Sequence, residues 1–272
     1  MQAFSVLMSV YKNDNDQFFR QALDSVIHQS CPPSEIVLVV DGPVPDKINQ
    51  VIDEYCQEYK IFNVVRIPQN KGLGNALHVG VTKAKYDLVA RMDSDDISLP
   101  SRFEHQLKCF SDDEELSIVG GAISEFIDEP DNIVGNRVCP LTDSEIKTYM
   151  GSRCGLNHVA VMFRKSEALR AGNYQDWFWN EDYYLWIRML LAGCRFANLP
   201  ETLVNVRVGK EMYARRGGWK YFKSEVGLQK FMLKKKIIGL PKYMYNVTVR
   251  FILQIMMPNA LRGFIFRKFA RK

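Results

Sequence analysis

The runs "FSVLMSVY" (4–11), "EIVLVVDG" (35–42), "NVVRIP" (63–68) and "YDLVARMD" (86–93) are short, rich in Val, Ile and Leu, and bounded by turn residues. They carry the pattern of strands buried on both faces. Between them "DQFFRQALDSVIHQ", "DKINQVIDEYCQEY" and "LGNALHVGVTKAK" space their apolar residues three or four apart, as amphipathic helices do. This alternation predicts an α/β fold on a parallel sheet with right-handed crossovers, whose ligands bind beyond the carboxyl ends of the strands. At those ends stand Ser9, Val10 and Tyr11, then Asp41, then Asn70, Lys71 and Gly72, then Asp93 to Asp96.

The second half changes rhythm. "LSIVGGAISEFID" and "NIVGNRVCP" read as strands around the turn "EPDN"; a helix "TDSEIKTYMG", a strand "HVAVMFR", an aromatic loop "NYQDWFWNED" and a helix "YYLWIRMLLAG" follow. The expected organisation is one α/β unit over 1–210, its ligand-binding half 1–100 faced by a wall from 101–210, with a basic helical region over 211–272.

Charge sharpens that division. The net +5 combines +15 from 207 onward, where 17 Lys or Arg meet two acids, with −10 for residues 1–206. An acidic body with a basic tail suits an anionic surface, membrane or nucleic acid. In "LPKYMYNVTVRFILQIMMPNALRGFIFRKFARK" bulky apolar residues alternate with Arg and Lys, and the longest uncharged stretch is 11 residues, against about 20 for a spanning helix. The pattern fits amphipathic helices lying in a membrane interface, or a helix pair packed on the body; no RNA-binding motif supports nucleic acid. Six cysteines without a CxxC pair suggest reduced packing residues, and a start lacking a basic leader and cleavage site leads us to expect a cytosolic chain.

Three constellations carry chemistry. In "RMDSDD" an extended backbone turns Asp93 and Asp95 to one side and Ser94 to the other. Carboxylates that close favour a hard cation such as Mg²⁺ or Mn²⁺ with phosphate oxygens completing its shell; an Asp-rich cap for the next helix, with Ser98 or Ser101, explains the same acids. An EF-hand reading fails, because Ile97 and Ser98 stand where a ligand and Gly belong. In "NKGLGNALHVG", Gly72 and Gly74 open a helix that would aim N–H groups at an anion, with Lys71 adding charge. In "WFWNEDYYLWIRMLLAG", Glu181 and Asp182 begin a helix behind Trp177, Phe178 and Trp179, an aromatic platform of the kind found in sugar sites.

Taken in order, "SVLMSVYKND", "VLVVDG", "NKGLGNAL", "RMDSDD", "NEDYYLWIRML" and "VRVGKEMYARRGGWKY" resemble the inverting family 2 glycosyltransferases of the GT-A fold found in bacterial polysaccharide assembly. The resemblance implies a UDP-sugar donor and a lipid-diphosphate-linked saccharide acceptor at the inner face of the inner membrane. By position, it implies that Ser9, Val10 and Tyr11 border uracil and ribose, that Asp41 bonds the base, and that Lys71, Gly72 and Asn75 lie along the nucleotide. Asp93, with Ser94 beside it, would hold the ribose or the metal's water shell, Asp95 would bind Mn²⁺ or Mg²⁺, Asp182 would be the catalytic base, and Glu181 and Trp179 would meet the acceptor. Asn157 and His158 line the acceptor side or pack in the core, and Arg215 with Arg216 closes over the diphosphate or is surface charge. Sugar-nucleotide pyrophosphorylases share the architecture but need a Gly-rich, Arg-containing loop where "SVYKNDND" stands; a membrane-bound scaffold that has lost catalysis would lack acids such as Asp95 and Asp182, and a sugar-nucleotide-binding protein is the remaining alternative.

Overall fold

The computed structural model describes residues 2–209 and 217–257. In chain order the elements are β1 (Phe4–Val10), α1 (Asp16–Ile27), β2 (Glu35–Asp41), α2 (Asp46–Glu58), β3 (Phe62–Ile67), α3 (Leu73–Lys83), β4 (Leu88–Met92), β5 (Ile97–Ser98), α4 (Arg102–Asp112), β6 (Leu116–Phe126), β7 (Ile133–Arg137), α5 (Asp143–Met150), β8 (Met162–Arg164), α6 (Lys165–Arg170), α7 (Glu181–Leu191), β9 (Arg195–Arg207), α8 (Trp219–Lys234) and α9 (Leu240–Phe251). One nine-stranded sheet runs β3-β2-β1-β4-β8-β6-β9-β5, with β7 also paired to β6. The expected βαβ half is present, since β1, β2, β3 and β4 pair in parallel. From β8 onward the sheet is mixed: β8 runs antiparallel to both β4 and β6, while β9 is parallel to β6.

Strand alternation sorts the core into two layers. Phe4, Val6, Met8 and Val10 of β1 face one layer with Phe19 and Leu23 of α1, Val51 of α2 and Phe103 of α4. Leu7 of β1 and Val37 and Val39 of β2 face the other, with Leu77 of α3, Met150 of α5, Trp186 of α7 and Leu228 and Met232 of α8. Asn15 caps α1 by accepting from Gln17 N at 2.9 Å and Phe18 N at 3.1 Å.

Three expectations change. "HVAVMFR" divides into a 3₁₀ turn at His158–Ala160 and a three-residue strand. The 13-residue strand β9 is absent from the sequence reading, because its interior "NLPE" carries a turn signature; β6 pairs along it through register shifts around that segment. Neither Ser98 nor Ser101 caps α4: Ser98 lies in β5, and Ser101 makes no side-chain cap bond.

A boundary at 210 would cut through the second core layer. Leu228 and Met232 are fully buried, and α9 is tied to the end of α5, with Asn246 Nδ2 donating to Gly151 O at 2.9 Å and Arg250 Nη2 to Ser152 O at 2.7 Å. Arg250 also pairs with Glu225 of α8 in a largely buried ion pair. The two helices are therefore a third layer on the body. No helix among the described residues is long and apolar enough to cross a membrane. Leu228→Ala is expected to lower stability by about 3 kcal/mol, and because α8 shares the core with β1 and β2, denaturation followed by circular dichroism and by tryptophan fluorescence should give one shared transition at the lower midpoint.

Candidate active site

The four parallel strands end on one edge of the sheet. After β4 the chain places Asp93, Asp95 and Asp96 so that a ligand oxygen from each lies within 4.8 Å of the others. Their surroundings differ. Asp96 is buried and its Oδ1 accepts from Arg207 N at 2.8 Å, which fixes the end of β9 to the acidic turn. Arg207 adds a bond from Nε to Asp95 O at 3.1 Å and lies over the rings of Phe18 and Phe126 at 3.8 and 4.6 Å. Asp93 pairs with Arg91, whose guanidinium leaves β4 from a residue only 2% exposed.

The carboxylates crowd one another. Desolvation inside the cleft, then the charges of Asp93 and Asp14, push Asp95 up to about 7, although Asp95 itself is reached by solvent. Asp14 rises to about 6, chiefly by burial, while its Oδ2 accepts from Tyr11 N at 3.0 Å and Ser94 Oγ at 2.9 Å. An acidic cluster with a solvent-reached member fits a divalent cation through its oxygen donors; Asp95 and Asp93 could hold one.

At the next strand end Asp41 is buried and accepts from Lys71 N at 2.9 Å and Gly72 N at 3.0 Å. These two amides therefore organise the loop around the Asp41 carboxylate. Gly72, at φ +88°, takes the left-handed turn into α3 that a side chain would resist. Gly74 lies so close to the second half that a Cβ there would sit 3.3 Å from Glu181 Cβ and 3.3 Å from Gln175 O. Asn75 is half-buried in the first turn of α3. Ser9 is half-buried and Tyr11 exposed, but Val10 turns its side chain into the core, leaving only its backbone for a ligand.

The facing wall comes from the start of α7. Burial, then Asp182, and more weakly Asp93 raise Glu181 to about 7. Asp182 is also raised, by burial, against the opposing pull of the Tyr183 amide, Arg137 and Arg91. Cys154 Sγ lies 3.9 Å from Asp182 Oδ2, and Arg137 Nη2 donates to Cys154 O at 2.7 Å. His158 Nε2 meets Tyr174 OH at 2.9 Å inside a ring cluster with Trp186, and burial together with Arg91 holds it well below its ordinary value, so it stays neutral. Asn157 corrects its acceptor-side expectation: it is 1% exposed, and its Nδ2 donates to Gly121 O at 2.8 Å and Arg137 O at 3.2 Å. Trp179 is 48% exposed and stacked on Phe178 at 4.8 Å. Its φ of +56° is left-handed, a conformation that costs a bulky residue roughly 1–2 kcal/mol.

Glu181 feels the charge of Asp93 and Asp182 that of Arg91, which brings the start of α7 and the acidic turn after β4 together, while Arg215 and Arg216 lie outside the described residues. Arg91, Asp14 and Arg137 were not singled out in the sequence. Arg91 had a signal, a lone charge inside the buried run "LVARM"; Asp14 and Arg137 had none beyond residue type.

The chain matches the model of glycosyl transferase family 2 over residues 5–178 and belongs to that family. It is 36% identical over 265 residues to the amylovoran biosynthesis glycosyltransferase AmsE of Erwinia amylovora, covering 97% of this chain and 98% of that one. It is 34% identical over 269 residues to the UDP-Gal:alpha-D-GlcNAc-diphosphoundecaprenol beta-1,3-galactosyltransferase of Escherichia coli, covering 99% and 97%. Among solved structures, TarS 1-349 of S. aureus in complex with UDP-GlcNAc superposes at a TM-score of 0.67 with 15% identity, covering 92% of this chain and 73% of that one. The mannosyltransferase PcManGT of Pyrobaculum calidifontis in complex with GDP-Man and Mn²⁺ gives 0.64 with 14% identity, covering 95% and 71%. The fold is that of the GT-A glycosyltransferases.

Crowded charge at such a site costs stability. The folded Asp95 carboxyl stays protonated up to about 7 while the unfolded one ionises near 3.8, so its destabilising contribution grows between those values and is complete above them. In chelator-treated protein Asp95→Asn should raise the melting temperature by roughly 2–4 °C at pH 8, about 1 kcal/mol after solvent screening, and the gain should disappear on titration toward pH 4.

Proposed function

We propose that this glycosyltransferase moves a hexose or N-acetylhexosamine from a UDP-sugar to a saccharide carried on a lipid diphosphate, inverting the anomeric carbon, during assembly of a surface polysaccharide. The observation that carries the reading is the opposition of two acidic groups across one cleft: Glu181 and Asp182 on α7 feel the charges of Asp93 and Arg91 at the end of β4. The names of the amylovoran enzyme and the E. coli UDP-Gal transferase support the donor, the lipid diphosphate and the polysaccharide.

Asp182 accepts the proton of the acceptor hydroxyl as that oxygen bonds to the anomeric carbon, and the bond to the UDP oxygen breaks on the opposite face. Burial raises its carboxyl above the ordinary aspartate range, which makes it a stronger proton acceptor than a free aspartate. A glycosidase needs a second carboxyl to protonate its leaving oxygen, whereas a diphosphate leaves without one. Asp95 and Asp93 would hold Mn²⁺ or Mg²⁺, which would supply Lewis-acid stabilisation of charge on the diphosphate. Asp41, Lys71, Gly72 and Asn75 border the nucleotide, Ser9 and Tyr11 its base and ribose, Ser94 holds Asp14 in place, and Trp179 with Glu181 orients the acceptor.

On this reading the reaction takes place at the cytoplasmic face of the inner membrane, where a nucleotide sugar and a lipid-borne acceptor would meet. An apolar surface on the C-terminal layer supports that site: Leu240, Met244 and Tyr245 of α9 are 58–64% exposed, Met256 beyond it 66% and Trp219 of α8 59%. Five Lys or Arg follow in residues 258–272 of the sequence. Apolar contact beside basic charge is the combination that holds a protein on anionic lipid.

Incubation with UDP-Gal, UDP-Glc, UDP-GlcNAc and UDP-GalNAc, Mn²⁺ and a GlcNAc-diphospholipid should give transfer from one donor. Asp182→Asn should lower kcat about 10³-fold or more with donor affinity retained, and Asp95→Asn should abolish the Mn²⁺ dependence of UDP binding; full transfer by both variants overturns the reading. In a second measurement, Met244→Glu with Tyr245→Glu should release the protein from sedimenting vesicles containing phosphatidylglycerol while leaving transfer to a short-chain soluble acceptor intact.

A further inference from the structure

The aromatic loop in front of Glu181 and Asp182 is held from outside the nucleotide-binding half. Ser224, in the middle of α8, donates from Oγ to Phe178 O at 2.6 Å and accepts from Asn180 Nδ2 at 3.1 Å, and its carbonyl accepts from Trp177 Nε1 at 3.1 Å. One serine thus bonds the residues on both sides of Trp179. The same face of α8 supplies Lys220 Nζ, 4.0 Å from the Phe178 ring centroid, and Tyr221, whose ring lies 6.0 Å from that of Trp179. Gly227, one turn further on, lies against Trp177: a Cβ there would come within 3.2 Å of its ring. Lys220, Tyr221, Ser224 and Gly227 recur at helical spacing, so an entire stripe of α8 is turned to this loop.

The loop itself is unfavourable in isolation. Trp179 takes a left-handed backbone conformation and leaves half its ring to solvent, so neither local sterics nor burial of the ring explains its posture. A strained aromatic held by an external clamp beside two functional carboxylates is a preorganised surface. The flat face it offers suits the C–H face of a pyranose.

We infer that Ser224 is a positioning residue: through Phe178 and Asn180 it fixes Trp179 as the platform for the acceptor sugar. The inference rests on the transferase reading for the identity of the sugar, but not for the clamp. It makes the C-terminal helical layer part of the acceptor site, so that one layer both bears the exposed apolar face and shapes the pocket where a lipid-borne saccharide is used.

Ser224→Ala removes two of the three bonds, and Gly227→Ala disturbs the loop independently by pressing on Trp177. Each is expected to speed hydrogen exchange of the 176–182 amides measured without substrate. Each should raise KM for a GlcNAc-diphospholipid about tenfold and leave kcat and the calorimetric affinity for UDP with Mn²⁺ within twofold. Ser224→Thr, which keeps the hydroxyl, should restore the acceptor KM of Ser224→Ala toward the wild-type value. Unchanged exchange overturns the clamp, and so does an unchanged acceptor KM or an equal loss of UDP affinity, which would mark general damage to the fold. If the wild-type protein transfers no sugar, the proposed function falls instead, and the exchange measurement alone decides whether Ser224 holds the loop.

Discussion

A buried guanidinium at the end of β4 is the constraint on which the site turns. Arg91 is 2% exposed and can stay charged only because Asp93 pairs with it and other carboxylates lie near. Its field is felt in both halves of the cleft: it opposes the upward shifts of Asp95, Asp96, Glu181 and Asp182 and suppresses protonation of His158. Beneath it Arg102, fully buried, donates to Arg91 O at 2.7 Å and to Gln106 Oε1 at 3.1 Å, and is lowered to about 9 by burial and by the neighbouring Arg91 charge. Two arginines under one acidic turn explain how the fold tolerates so many carboxylates at a single strand end.

That turn is also mechanically fixed. Asp96 points away from the accessible side and holds the Arg207 amide, so the last residue of β9 closes against the acidic cluster across 111 residues of sequence. The Arg207 side chain then bonds Asp95 O and Gln21 and lies over two aromatic rings. The accessible acids, Asp93 and Asp95, consequently sit on a rigid base. Rigidity of this kind carries the stability cost of like charges held close, a common exchange at sites built to bind a cation or to move a proton.

The second half of the site is assembled from separate layers. The start of α7 supplies the carboxylates, α3 approaches it through Gly74, and α8 clamps the aromatic loop between them. A helix pair with a basic, amphipathic sequence reads most readily as a membrane-lying tail; in the fold its inner face closes a core, while its outer face carries lysines along α8 and exposed Leu240, Met244 and Tyr245 on α9.

Sequence pattern alone determined the parallel half of the sheet and the chemistry at its strand ends, because period-two burial and helical spacing are local properties that survive in the linear chain. It likewise marked Glu181 and Asp182, since acids at a helix start behind three aromatic residues form a contiguous signature. Tertiary structure alone decided which partners each acid meets. Whether Asp96 faces a ligand or an amide of β9, whether Asn157 lines a cleft or pins two strands, and whether Ser224 is an ordinary helix surface residue or a clamp depend on partners dozens to more than a hundred residues away. Arg91 belongs to that second class too: its charge was visible in the run "LVARM", but its reach to Asp182 exists only once β4 and α7 face the same cleft.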